Sequence, residues 1–158
     1  GEAIEAWITE RVDRYVSDLD VEGRPGPPAI RTCAEISRER WDLPVMKQQV
    51  NHSVDHPIDP AFYWVHGRQP LHGEIVALGT LITCYLCDMH FEKAVEMFKA
   101  CGTRYKPRQI GCNWEEIHEA MDAVPEHVDY VGGLETILHK RSVDEKTMSE
   151  MAERIDKS

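Results

Sequence analysis

Three histidines stand at spacings that could hold a metal ion. His52 and His56, in "HSVDH", are four residues apart, which on a helix puts both imidazoles on one face. Paired histidines at that spacing commonly supply metal ligands. His72, in "QPLHGEIVALGT", follows sixteen residues after His56, and a connection of that length can fold back to bring it beside the first pair. Two imidazoles and a carboxylate suit divalent zinc, iron or nickel and leave positions open for substrate oxygens. Histidine pairs also serve as buried hydrogen-bonding groups, so spacing alone leaves both readings open.

The other reactive side chains carry less. Of the eight histidines, His90, His118, His127 and His139 lie among charged or loop residues, which points to plain surface placement. His66, in the turn-like "WVHGR", gets no role. "CYLC", Cys84 to Cys87, lacks the second pair of a structural zinc site and the strand context of a redox motif, so core packing is the better reading. "GRPGPP" and "YVGG" are not phosphate loops, because neither is a glycine-rich turn between a strand and a helix.

The elements that must position these residues read as helices. Ile4, Trp7, Ile8, Val12, Tyr15 and Val16 recur at three- and four-residue steps, giving a first helix from about Ala3 to Asp18 with one buried face. "EGRPGPP" breaks the chain, and a second helix follows from Pro28 to Trp41, with Ile30, Cys33, Ile36 and Trp41 as its stripe. "DLPVMKQQV" suggests a third helical stretch. "NHSVDHPIDPAFYWVHGRQP" reads as short helices joined by turns. His72 to about Met89 is apolar nearly all round, which marks a central helix packed on several sides. Phe91 to Cys101 is more amphipathic and is ended by Gly102. "NWEE", Asn113 to Glu116, has capping-box form and starts a helix through about Ala123. "SVDE", Ser142 to Glu145, does the same for a last helix to about Ile155. No segment shows sustained two-residue alternation. The expected fold is an all-α bundle forming a single domain over residues 1–158.

Bulk properties bound the function. Eighteen basic residues against twenty-eight acidic ones give a formal charge of −10, which argues against a nucleic-acid or anionic-membrane surface. The five irregularly spaced cysteines fit reduced thiols in a cytoplasm better than a disulfide framework. Glu74 and Asp88 interrupt the longest apolar run, so no membrane span is expected. The chain opens in helical periodicity at "GEAIEAWITERV" with no methionine ahead of it, which fits either a piece of something longer or trimmed ends.

"LHGEIVALGTL" resembles the superfamily of iron-containing alcohol dehydrogenases, glycerol dehydrogenase, glycerol-1-phosphate dehydrogenase and dehydroquinate synthase. There a His-Gly-Glu segment opens a central helix of the all-helical C-terminal domain, and its histidine is a metal ligand. The resemblance implies that His72 holds a divalent metal (zinc, iron or nickel). It implies that Gly73 allows close backbone approach and that Glu74 is a first-turn residue able to support a ligand. "GEAIEAWITER" is similar to the segment that begins this domain with an acidic ligand, here Glu2. "SVDH" resembles the Ser-x-x-His segment that supplies the other histidine, here His56. "IGCNWEEIHEAM" and "LETILHKRSVDEKTM" resemble the tail of the glycerol-1-phosphate type. The implied ligand set is Glu2, His56 and His72, with His52 nearby as a hydrogen-bonding partner or proton relay.

This sequence departs from the family pattern in two places. The stretch from Trp41 to His52 is shorter, and the glycine-rich nicotinamide-binding domain is not among these residues. "HSVDHPID" also aligns with the cyclase-type His-Ser/Thr-x-Gly-His segment, which would make His52 the ligand. The implied enzyme transfers hydride between NAD(P), held by that missing domain, and a small polar alcohol, ketone or sugar phosphate. This chain alone should be inactive as a dehydrogenase, and its half-open pocket should favour self-association into a homo-oligomer. A sugar-phosphate cyclase and a stand-alone helical interaction module are the other readings.

Overall fold

A computed structural model describes residues 2–41, 54–133 and 135–158. Among them are seven α-helices, two single-turn 3-10 helices and no strand, so the all-α expectation holds. The "DLPVMKQQV" stretch and His52 lie outside the described residues. No helix among the described residues is long and apolar enough to cross a membrane. The chain divides into two compact units, residues 1–50 and 51–158.

The first unit is a helical hairpin of α1 (Glu2–Ser17) and α2 (Pro27–Trp41). Its turn is set by Asp20, whose Oδ1 accepts from the N–H groups of Glu22 and Arg24 at 2.9 and 2.8 Å. Gly23 takes the left-handed φ of 74° that the turn demands. Arg11 and Arg14 both reach Glu39 across the hairpin, at 3.0 and 3.2 Å. The apolar stripe expected to bury α1 does so only in part. Trp7 and Tyr15 are half-buried, while Ile8, Val12 and Val16 are exposed. On α2 the buried positions are Ala29 and Thr32 rather than Ile30 and Cys33.

The second unit contains α3 (Ile58–His66), α4 (His72–Leu86), α5 (Phe91–Ala100), α6 (Trp114–Tyr130) and α7 (Glu145–Lys157). α4 runs through its middle against α3, α5 and α7, and α3 lies along α6. Ile75, Leu78, Leu81 and Ile82 of α4 are fully buried with Ile58, Phe62, Ile117, Met121, Val124, Met151 and Ile155. Each such side chain contributes about 1.5–3 kcal/mol by leaving water. That is why the nearly uncharged His72–Leu86 stretch takes the central place.

Several helix ends differ from the sequence reading. Among the described residues of the "NHSVDHPIDPAFYWVHGRQP" stretch there is one nine-residue helix, α3, in place of a string of short ones, and Gly67 closes it with a φ of 64°. α4 stops at Leu86 rather than Met89, because Asp88 and His90 both adopt left-handed φ, 51° and 52°, which ends helical hydrogen bonding. α6 starts at the expected capping box, with Asn113 and Glu116 bonded reciprocally at 3.0 and 3.1 Å. It then runs past Ala123 and through Pro125 to Tyr130. The proline removes one N–H donor, but the buried stripe of Ile117, Met121, Val124 and Val128 continues across it. α7 is capped by Asp144, which accepts from the Thr147 N–H at 2.8 Å, and not by Ser142.

Candidate metal centre

The centre is built on one stripe of α4. His72 is the first residue of the helix, after an extended Leu71. Gly79 and Thr83 follow at seven- and four-residue steps, which keeps all three on nearly one face. The segment leading into α3 lies along that face. The Val54 N–H donates to Thr83 Oγ1 at 2.9 Å, and the same hydroxyl donates to the Gly79 carbonyl at 2.9 Å. At Gly79 the approach is so close that a Cβ there would sit 2.7 Å from Asp55 Cα and 2.9 Å from Asp55 O. Gly73, expected to allow such an approach, has nothing within 4 Å of that position. The glycine that admits the neighbouring backbone is Gly79.

This docking puts His56 beside His72. Their ring centroids are 5.7 Å apart, with the planes at 66°. Each ring has its Nδ1 against a carboxylate: His56 on Asp55 Oδ2 at 2.9 Å and His72 on Asp59 Oδ2 at 2.6 Å. The other Asp59 oxygen accepts from Gln69 Nε2, also at 2.6 Å. The histidine side chains are exposed, 50% and 63%, whereas the Asp59 side chain is 7% exposed. Two accessible imidazoles thus stand over acids from the same short segment.

Glu74, expected to support a ligand, instead pairs with Arg104 at 2.6 Å. Asp59 takes that part for His72. Neither Asp59, Gln69 nor Gly79 was singled out by sequence reasoning. The stretch "DHPID" places Asp55 and Asp59 on either side of His56, but nothing in it points to His72, Gln69 or Gly79.

The two imidazoles suit a borderline divalent cation, because imidazoles backed by carboxylates are the usual histidine arrangement around zinc. Among the described residues no group of three or more His, Cys, Asp or Glu comes together to hold a metal. His52 and the side chain of Glu2 are outside the description.

The remaining histidines are mostly structural. His66 ends α3 rather than lying in a turn, and its Nε2 is 3.1 Å from the Glu116 carbonyl. His118 Nε2 is 3.0 Å from the Val143 carbonyl. His139 Nδ1 accepts from the Thr136 N–H at 2.9 Å, and His127 packs on Trp64 with centroids 4.9 Å apart. His66, His118 and His127 tie elements together and His139 caps its own 3-10 turn, so plain surface placement is corrected for His118, His127 and His139. Cys84 packs partly buried against the core. Burial, then the neighbouring Cys87 and Asp55, push its thiol above the usual range, which suits packing and not nucleophilic chemistry.

Comparison with known proteins adds one partial likeness. No family model matches the chain, and no solved structure matches it. Over 51 residues the chain is 37% identical to glycerol-1-phosphate dehydrogenase, an NAD(P)+ enzyme, from Thermoplasma volcanium. The match takes in 32% of this chain and spans only 14% of that relative's length. A likeness of that extent supports a dehydrogenase-like origin for the segment.

Proposed function

We propose that this chain is the helical, metal-holding part of an NAD(P)-dependent dehydrogenase acting on a small polyol or its phosphate, of the glycerol-1-phosphate type. The observation that carries the reading is the His56–His72 pair, 5.7 Å between centroids with both Nδ1 atoms on carboxylates. The partial identity to a glycerol-1-phosphate dehydrogenase supports it. His56 and His72 would hold the metal through Nε2, with His52 as a proton relay or alternative ligand. A bound divalent ion would act as a Lewis acid on a substrate oxygen. The chain's own contribution is orientation. Asp55 and Asp59 fix the two rings, and the Gly79 contact fixes the segment that carries one of them. The nicotinamide cofactor would bind elsewhere, on a strand-rich domain with a glycine turn.

The test is calorimetric titration of the metal-free chain with zinc and with nickel, repeated on His56→Ala, His72→Ala and His52→Ala. Loss of one ligand should lower affinity by orders of magnitude for His72→Ala and His56→Ala. A damaging His52→Ala with a silent His56→Ala moves the second ligand to His52. Unchanged binding in all three variants would refute the reading.

A further inference from the structure

A metal ligand must offer a lone pair, so which nitrogen of His72 carries the proton decides whether it can bind at all. Resting on the metal reading above, we propose that Asp59, braced by Gln69, is a positioning residue. It fixes His72 as the Nδ1–H tautomer and so presents a bare Nε2 outward.

The argument starts from the burial contrast. The Asp59 side chain is 7% exposed and the imidazole above it is 63% exposed. A carboxylate sunk at that depth must have its lone pairs met by donors. Asp59 lies in the first turn of α3, where the helix N-terminus favours negative charge. Gln69 contributes an amide N–H to Oδ1 at 2.6 Å, since two acceptor oxygens facing each other would repel. Oδ2 is then left to accept from His72 Nδ1 at 2.6 Å, which requires the hydrogen to be on that nitrogen. In a neutral imidazole the other nitrogen is then bare.

The geometry also explains why Gln69 lies just before the helix. Bonded to the Asp59 carboxylate from one side, it keeps the acid from rotating away from His72. His72 sits at the helix entrance, where no residue precedes it in helical register, so its ring depends on α3 for orientation. Asp55 gives His56 the same kind of partner at 2.9 Å, from a side chain that is 24% exposed.

Asp59→Asn makes an isosteric test. The asparagine oxygen stays against Gln69 Nε2, which turns its amide N–H toward His72 Nδ1 and forces that nitrogen to accept. The tautomer should invert. The measurement is the pair of imidazole 15N shifts of His72 in the metal-free chain, at a pH where the ring is neutral. The parent should show a protonated Nδ1 and a lone-pair Nε2, and Asp59→Asn the reverse. Zinc affinity should fall about 10- to 100-fold in the same variant. Gln69→Ala, which keeps the carboxylate but removes its brace, should retain the Nδ1–H tautomer while zinc affinity falls, by less than in Asp59→Asn. A parent ring carrying its proton on Nε2 overturns the proposal, even if Asp59→Asn does not fold. So does an Asp59→Asn protein with unchanged shifts. A parent that takes up no zinc would defeat the metal reading, while the nitrogen shifts still decide the role of Asp59.

Discussion

Gly79→Ala should damage the candidate centre without touching either histidine. The added methyl would meet Asp55 Cα at 2.7 Å, Asp55 O at 2.9 Å and Ile58 Cγ2 at 3.0 Å. Carbon atoms pack at about 3.5–4.0 Å, so the segment carrying His56 must retreat by roughly 1 Å. It cannot do so freely. Val54 is fully buried, its N–H is held by Thr83, and Ile58 is fully buried in the core. Overpacking of this kind costs about 1–3 kcal/mol, offset by about 1 kcal/mol because alanine favours the helix over glycine.

Gly73→Ala makes the control, since a Cβ there meets nothing while gaining a similar helical preference. The difference between the two variants isolates the clash, and it should be about 1–3 kcal/mol by urea unfolding. Zinc titration supplies the second reading. Gly79→Ala should bind more weakly than the parent because His56 is displaced from His72, whereas Gly73→Ala should bind like the parent. Equal stability and equal affinity for the two variants would show that the close approach at Gly79 does not exist.

Other consequences are open to simple measurement. Asn113→Ala removes the cap that accepts the Glu116 N–H and should lower stability by about 1 kcal/mol, seen as a shifted urea midpoint with unchanged helical content. Burial alone would raise the Glu116 carboxyl, but the Arg68 hydrogen bond, the Asn113 N–H and the charges of Arg68 and His66 outweigh it and hold it below the usual range. Its stabilising contribution is therefore complete above the ordinary carboxylate pKa of about 4.3 and is lost as the pH falls through the lower folded value. Glu116→Gln should accordingly narrow the stability difference between pH 6 and pH 3. Burial, and then the charge of Glu116, push the Cys112 thiol up to about 11 against an opposing Arg68. Alkylation at pH 8 followed by mass spectrometry should modify the exposed Cys33 and Cys101 well before Cys112.

The fold was legible wherever periodicity and burial coincided. The central helix announced itself because Ile75, Leu78, Leu81 and Ile82 recur on a stretch with one acidic residue, and all four are fully buried. The Asn113–Glu116 box was legible because capping is a local bond between residues three apart. Helix ends were less legible. Nothing local distinguishes Ser142 from Asp144 as a cap, and the choice falls to the residue whose oxygen reaches the Thr147 N–H. Pro125 is a breaker by composition, yet burial of Val124 and Val128 on either side outweighs one lost hydrogen bond. The α1 stripe misled in the opposite sense, because periodicity tells which residues share a face and not whether anything covers them.

The site was half legible, and the division has a physical cause. His56 and His72 could be named because a metal needs particular atoms and few side chains supply them. Asp59 could not, because the requirement it meets belongs to the ring and not to the ion. Any buried acceptor that reaches Nδ1 would satisfy His72, from any element. Asp59 meets it because the Gly79 contact brings the Val54–Ile58 segment against α4, which starts α3 within reach of the helix entrance. The missing methyl of Gly79 thus precedes the carboxylate in the chain of causes. A sequence reader looking for the partner of His72 should therefore search first for the glycine two turns along the same helix face, and then for an acid on whatever that glycine admits.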